Sequence, residues 1–302
     1  MAVARASKPS GTCRLAAPGE IVASLAKICA ALWLCALVMA PSSSPAADDG
    51  CCVSSAPIRV ALFSDAASTD ERSREGAWRV LTAEPTFRVE RATTATLAAG
   101  QLSQTDVLII PGGTASGIGR ALGIEGGTSV TEFVKAGGGL VGICAGGYLI
   151  VEGWSPATKA IEVVNAESWD DEHWARGEGF ISVALAGGEA NDPTTSRSMW
   201  FENGPIFVPG KLSQPAYTPL VKYVTDLAAA DAPKGMMTGR DAVVASPFGN
   251  GRVVAFGPHP ELSPGLNHWL VNAVAWSSGR RGEGETTITL QAVLGEEIVK
   301  KP

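Results

Sequence analysis

Gly137-Gly-Gly-Leu-Val-Gly-Ile-Cys-Ala-Gly-Gly-Tyr148 decides how the chain is read. Leu140 to Ile143 is a short apolar run suited to a buried strand, and Cys144 follows at a sharp turn that opens a helix. Gly142, Gly146 and Gly147 flank the cysteine. A nucleophile on a strand-to-helix elbow needs small neighbours, because its backbone is strained and other chain passes close by. A helix start directly after a cysteine favours the thiolate and supplies backbone N–H groups for a developing oxyanion. An isolated cysteine reads more simply as a small buried residue. The Gly-x-Cys-x-Gly setting shifts the balance toward a nucleophile.

Upstream of the elbow the pattern is βαβ. Ile58 to Phe63 reads as a strong strand, Ser64 to Thr69 as a polar loop, and Thr69 as the cap of a helix to about Leu81 with Ala77, Trp78 and Leu81 on its apolar face. Thr86 to Glu90 reads as a second strand, and Thr94 to Gln101 as a short helix. Asp106 to Ile110 is a continuous apolar strand ending in Pro111-Gly112-Gly113, and Thr128 to Lys135 is the helix that feeds the elbow strand. Runs apolar on both faces belong to parallel sheets covered on both sides. The expected fold is therefore α/β, a flavodoxin-like, doubly wound, mostly parallel sheet with helices on both faces. It places Ile58, Val60, Leu108, Ile110, Leu140, Val141 and Ile143 in one buried parallel sheet. Ligands of such sheets bind beyond the carboxyl ends of the strands. Pro111-Gly112-Gly113 and Cys144 should meet there, with Gly113 donating an oxyanion N–H opposite that of Ala145.

Downstream the signals are weaker. Ile161 to Asn165 and Phe180 to Leu185 read as strands, and Arg197 to Pro205 mixes aromatic and polar groups suited to core or pocket. Ala242 to Ser246 and Arg252 to Gly257 form a hairpin-like pair, Gly265 to Ser277 an amphipathic helix, and Thr286 to Leu290 a short strand. The apolar strand before Gly257 runs into His259, with Glu261 two residues on. His259 at a strand end can take a proton from Cys144, and Glu261 can orient the imidazole. Among the other histidines, His173 lies in an acidic loop and His268 on the last long helix.

Composition bounds the rest. The 302 residues are 45% hydrophobic and 18% charged, with a net charge of −6, so no basic footprint for nucleic acid is present. With no Cys-x-x-Cys and no His-Glu-x-x-His, neither a metal site nor any cofactor is expected. Arg5, Lys8, Arg14 and Lys27 precede an apolar run from Ile28 to Met39, followed by small residues. That length suits a signal-peptide core better than a membrane span. Residues 1–47 are read as a signal peptide or uncleaved anchor, the latter giving membrane association. Residues 48–57 are read as a linker, 58–278 as the folded domain and 279–302 as a charged, Gly-rich tail. Cys13, Cys29 and Cys35 fall in or before the leader, which leaves Cys51, Cys52 and Cys144 to an exported chain.

Five stretches together resemble the class I glutamine amidotransferase superfamily. They are Pro111-Gly-Gly113, Phe133-Val-Lys-Ala-Gly-Gly138, Gly142-Ile-Cys-Ala-Gly-Gly-Tyr148, Phe201-Glu-Asn-Gly204 and Gly257-Pro-His-Pro-Glu261. Within the superfamily the pattern is most similar to the amidotransferase-like domain at the N-terminus of biotin–protein ligases, including its stand-alone form. The resemblance spans about Ile58 to Ser277. It implies a flavodoxin-like fold and a triad of Cys144 as nucleophile, His259 as base and Glu261 as its orienter, with Gly112, Gly113, Ala145 and Gly146 around the oxyanion. The sequence carries no ligase catalytic domain and no synthetase domain, so biotin ligation and ammonia channelling by this chain alone are not expected. Two functions follow: a cysteine-dependent amidohydrolase or amidotransferase-like protein acting on a small-molecule or peptide amide, or a non-catalytic binding or accessory module. The sequence names neither substrate nor oligomeric state.

Overall fold

The computed structural model describes residues 56–169, 177–189, 192–228, 230, 233–280 and 287–298. The leader, Cys51, Cys52, His173 and the end of the tail lie outside the described residues. At the centre are the three apolar runs, Ile58–Phe63 (β1), Val107–Ile110 (β3) and Gly139–Ile143 (β4). They pair in parallel, Val60 opposite Val107 and Leu108 opposite Leu140. Phe87–Ala92 (β2) adds in parallel outside β1, and Gly251–Phe256 (β11) adds in parallel outside β4. Ile58, Val60, Leu108, Ile110, Leu140, Val141 and Ile143 are all buried in this parallel half. Alternate residues of each strand feed opposite faces, as the strand period requires. Val60, Ile109 and Val141 pack on one side, and Ala61, Leu108 and Leu140 on the other.

Helices cover both faces. Glu71–Thr82 (α1) and Asn267–Ser277 (α5) bury Ala77, Leu81, Trp269 and Leu270 on one face. Thr94–Ala98 (α2), Ala115–Lys135 (α3) and Ala145–Ile150 (α4) bury Leu97, Ile118, Val130 and Leu149 on the other. Two boundaries differ from expectation. The cap of α1 is Asp70, whose side chain accepts the Ser73 N–H at 2.9 Å, while the Thr69 hydroxyl donates back to the Asp65 carbonyl. Helix α3 begins at Ala115 rather than Thr128 and kinks at Gly123, where φ is 63°.

Beyond β11 the sheet continues with antiparallel strands. The expected hairpin is present as Asp241–Phe248 (β10) against β11. Thr218–Tyr223 (β9), Glu178–Leu185 (β6) and Ser196–Glu202 (β7) follow in that spatial order. Ala166–Ser168 (β5) and Phe207–Pro209 (β8) form a side pair reaching β10. Two expected strands are corrected. The segment from Ile161 to Asn165 only leads into β5, and Thr289 caps a short helix, Leu290–Leu294 (α6), instead of lying in a strand. The antiparallel arm matters to the site because β7 returns to its edge: the His259 N–H donates to the Trp200 carbonyl at 2.8 Å. No helix among the described residues is long and apolar enough to cross a membrane.

Candidate active site

Cys144 sits between β4 and α4 with φ 52° and ψ −106°, a conformation that non-glycine residues avoid. Strain of this kind persists only where the surroundings over-determine it. They do so here. The Cys144 N–H donates to the Phe256 carbonyl at 2.8 Å, tying the elbow to the neighbouring strand. A Cβ on Gly146 would lie 2.1 Å from the Ile110 carbonyl oxygen, and one on Gly142 would lie 2.6 Å from that of Gly146. The elbow therefore packs backbone on backbone. The Cys144 side chain is 6% exposed, and Sγ donates to the Glu202 carbonyl at 3.2 Å.

His259 follows β11 and begins the turn Pro260–Leu262. Its ring is buried and its Nδ1 lies 2.8 Å from Oε1 of Glu261, which is fully buried. Nε2 is buried and makes no close hydrogen bond; the side chain it interacts with is that of Cys144. Burial opposes charge on the imidazole, but the Glu261 carboxylate, and after it Cys144, outweigh burial and hold its pKa well above the usual histidine value. The ring is thus biased toward imidazolium by the two side chains the sequence paired with it.

Both Cys144 and His259 line a cavity of about 590 Å³ at the carboxyl ends of the parallel strands, together with Gly113 and Ala145. Gly112 and Gly146 do not. The Gly112 N–H is already donated to Ser73 Oγ at 2.8 Å, so it is not free for an oxyanion, and Gly146 serves the close packing described above. The cavity wall also holds Asp70, Tyr148, Trp154, Glu202 and Asn203. Tyr148 and Trp154 meet edge to face at 5.2 Å, and the Tyr148 hydroxyl donates to the Asn203 carbonyl. The stretch from Arg197 to Pro205 divides its duties: Met199 and Phe201 are core, while Glu202 and Asn203 line the cavity. His268 lies away from this cavity, half-exposed beside Glu296. Among the described residues, no group of three or more His, Cys, Asp or Glu side chains is placed to hold a metal ion.

One residue at the site carries no signal in the sequence. Ser73, in the first turn of α1, is fully buried, and its Oγ lies 2.7 Å from Glu261 Oε1. A serine three residues after a helix cap reads as ordinary helix start, and only the fold brings it to a glutamate 188 positions away.

Residues 58–166 match a known family, biotin-protein ligase, N terminal. The matched segment is less than half of the chain. It contains Ser73, Gly112 and Cys144, whereas Glu202, His259 and Glu261 lie beyond it. No curated protein matches the sequence. Among solved structures, PurLQS from Thermotoga maritima aligns at 13% identity over 74% of this chain and 94% of its own, with a TM-score of 0.45. A ThuA-like protein from Parabacteroides merdae aligns at 12% identity over 74% of this chain and 90% of its own, with a TM-score of 0.48. A β-galactosidase from Bacillus circulans sp. alkalophilus aligns at 14% identity over 74% of this chain and a TM-score of 0.44, and the chain spans only 30% of that protein.

Proposed function

We propose that this protein is a cysteine-dependent amidohydrolase or amidotransferase-like enzyme. Cys144 acts as nucleophile, His259 as general base and acid, and Glu261 as the group that orients the ring. The observation that carries this reading is the state of His259. Nδ1 is fixed by Glu261, Nε2 is buried with no close hydrogen bond and interacts with Cys144, and the ring lines the same cavity as Cys144. In this reaction Sγ passes its proton to Nε2 and bonds to the acyl carbon of an amide. The carbonyl oxygen takes up the electron pair and is held by the Ala145 and Gly113 amides. The imidazolium gives its proton to the departing nitrogen as the C–N bond breaks. Water, deprotonated by His259, then cleaves the thioester and restores the thiol. The substrate class is a small-molecule or peptide amide. The same reading has the chain exported by its N-terminal segment or anchored to a membrane through it.

A second reading, a binding or accessory module that keeps the elbow without turnover, is favoured by one observation: the Cys144 thiol is largely buried and occupied by the Glu202 carbonyl. Alkylation of the intact protein with iodoacetamide at pH 6.5, read by peptide mapping, separates the two. Catalysis predicts that Cys144 reacts far faster than Cys51 and Cys52. Equal or slower reaction at Cys144 favours the accessory module.

A further inference from the structure

We propose that Ser73 is a positioning residue, whose hydroxyl locks Glu261 and the His259 ring to the Pro111–Gly113 turn. This rests on the catalytic reading above. A serine hydroxyl has one proton to donate. The Gly112 N–H donates into Ser73 Oγ at 2.8 Å, so the Ser73 proton is left for Glu261 Oε1 at 2.7 Å. Oε1 also meets His259 Nδ1 at 2.8 Å. A carboxylate only accepts, so Nδ1 carries the proton and Nε2 is the atom left to face the nucleophile. The polarity of the whole chain, from amide to hydroxyl to carboxylate to imidazole, follows from the single backbone N–H at its start.

Helix capping does not account for this serine. Asp70 caps α1 by accepting the Ser73 backbone N–H, which alanine would donate equally well. Alanine is also the better helix former at a helical position. What only the side chain supplies is a link between three separate elements: α1, the turn after β3, and the turn Pro260–Leu262. That link couples the placement of the Gly113 amide, next to Gly112, to the placement of the base. Removing the hydroxyl strands a buried N–H and leaves a buried carboxylate oxygen with one donor fewer.

The test follows the ring directly. In full-length protein carrying ¹³C-labelled histidine, the His259 Cε1 resonance is identified by its loss in His259→Gln and is titrated in wild type, Ser73→Ala and Ser73→Thr. With one donor gone, the Glu261 charge falls more fully on the imidazolium, so Ser73→Ala shifts the titration midpoint upward. Ser73→Thr, which keeps the hydroxyl, titrates as wild type does. The other charged or titratable groups around the ring and Glu261 (Cys144 at the elbow, Asp70 and Glu202 on the cavity wall, and Arg79 of α1, which donates to the Glu261 carbonyl) are unchanged in all these serine variants, so they do not generate the difference. Coincident wild-type and Ser73→Ala curves overturn the proposal. Should Ser73→Ala fail to melt cooperatively, the wild type decides: a slowly exchanging Ser73 hydroxyl proton with a nuclear Overhauser contact to His259 Nδ1–H supports the link, and its absence overturns it. Neither readout needs turnover. An unreactive Cys144 would therefore remove the catalytic reading while leaving the Ser73 link to be judged by itself.

Discussion

Sγ of Cys144 donates to the backbone carbonyl of Glu202 across 3.2 Å, while Nε2 of His259, lining the same cavity, makes no close hydrogen bond and has Cys144 as the side chain it interacts with. The contact with Glu202 uses the S–H proton. Once that proton moves to Nε2, the sulfur has nothing to offer a carbonyl oxygen and is released toward the cavity. With the ring neutral, this arrangement holds the nucleophile against β7 and leaves Nε2 to take its proton.

Variants of the base should report this hand-over. His259→Ala removes the proton acceptor, and it should slow alkylation of Cys144 at pH 6.5 by roughly a hundredfold, the lower end of general-base effects. Glu261→Gln keeps a hydrogen-bonding group beside Nδ1 and should slow it less. Rates from timed iodoacetamide quenches give the order, and equal rates in wild type and His259→Ala would contradict the proton transfer.

The elbow should tolerate almost no added volume. Gly146→Ala puts a methyl group 2.1 Å from the Ile110 carbonyl oxygen, which is backbone and cannot rotate away. Overpacking of this kind costs about 1–3 kcal/mol, and more when backbone must shift. We expect a loss at the upper end, about 3 kcal/mol, measured by urea unfolding, together with loss of selective labelling at Cys144. A variant as stable and as reactive as wild type would show that the elbow can relax.

How far these relationships were legible in the sequence depends on which force fixes each one. The strands β1, β3 and β4 are apolar on both faces, which marks them as buried, and the helical crossovers between them make the pairing parallel. Cys144 is legible because it directly follows β4, and His259 because the apolar run of β11 leads into it, with Glu261 two residues on. Only the second half of helix α3 is legible, since Gly117, Gly119 and Gly123 weaken helix propensity in its first half. Gly119 is there for contact: a Cβ would lie 1.9 Å from the Ala157 carbonyl oxygen. Strand β9 hides behind Pro219, and β7 mixes Ser196, Arg197 and Ser198 with apolar residues. Ser73 is legible only once α1 is packed on the turn that carries Glu261.

One carboxylate, Glu296, ties the C-terminal segment to β7 and α5. Glu296 accepts from Arg197 Nη2 at 2.6 Å and from Trp269 Nε1 at 2.9 Å, and it lies 3.4 Å from His268 Nε2. Burial pushes its pKa up, but Arg197 first, then Trp269 and His268, hold it below the usual glutamate value. A carboxyl group with a depressed folded pKa stabilises above its unfolded pKa and loses that contribution as pH falls through the folded value. Glu296→Gln should therefore cost about 1.5–3 kcal/mol at pH 7, the range for hydrogen bonds to a charged group. The gap between the two proteins should shrink in acid, below the ordinary glutamate pKa of 4.5. Urea unfolding at pH 7 and pH 3.5 checks both the size and the sign.

His259 has the opposite sign. Its folded pKa is raised well above 6.5, so the folded state binds a proton that the unfolded chain has already released. Below the unfolded pKa both states are protonated and the contribution of the Glu261–imidazolium contact is fully present. As pH rises through the folded pKa the proton leaves the native ring too, and that contribution is lost. His259→Gln removes the titration while leaving a side chain that still bonds to Glu261. The difference in melting temperature between wild type and His259→Gln, recorded from pH 6 to pH 10, should be widest at pH 6 and narrow steadily toward the alkaline end. A difference that widens with pH would mean that His259 is held neutral in the folded protein. The imidazolium that protonates the departing amide nitrogen would then form only as Sγ hands over its proton.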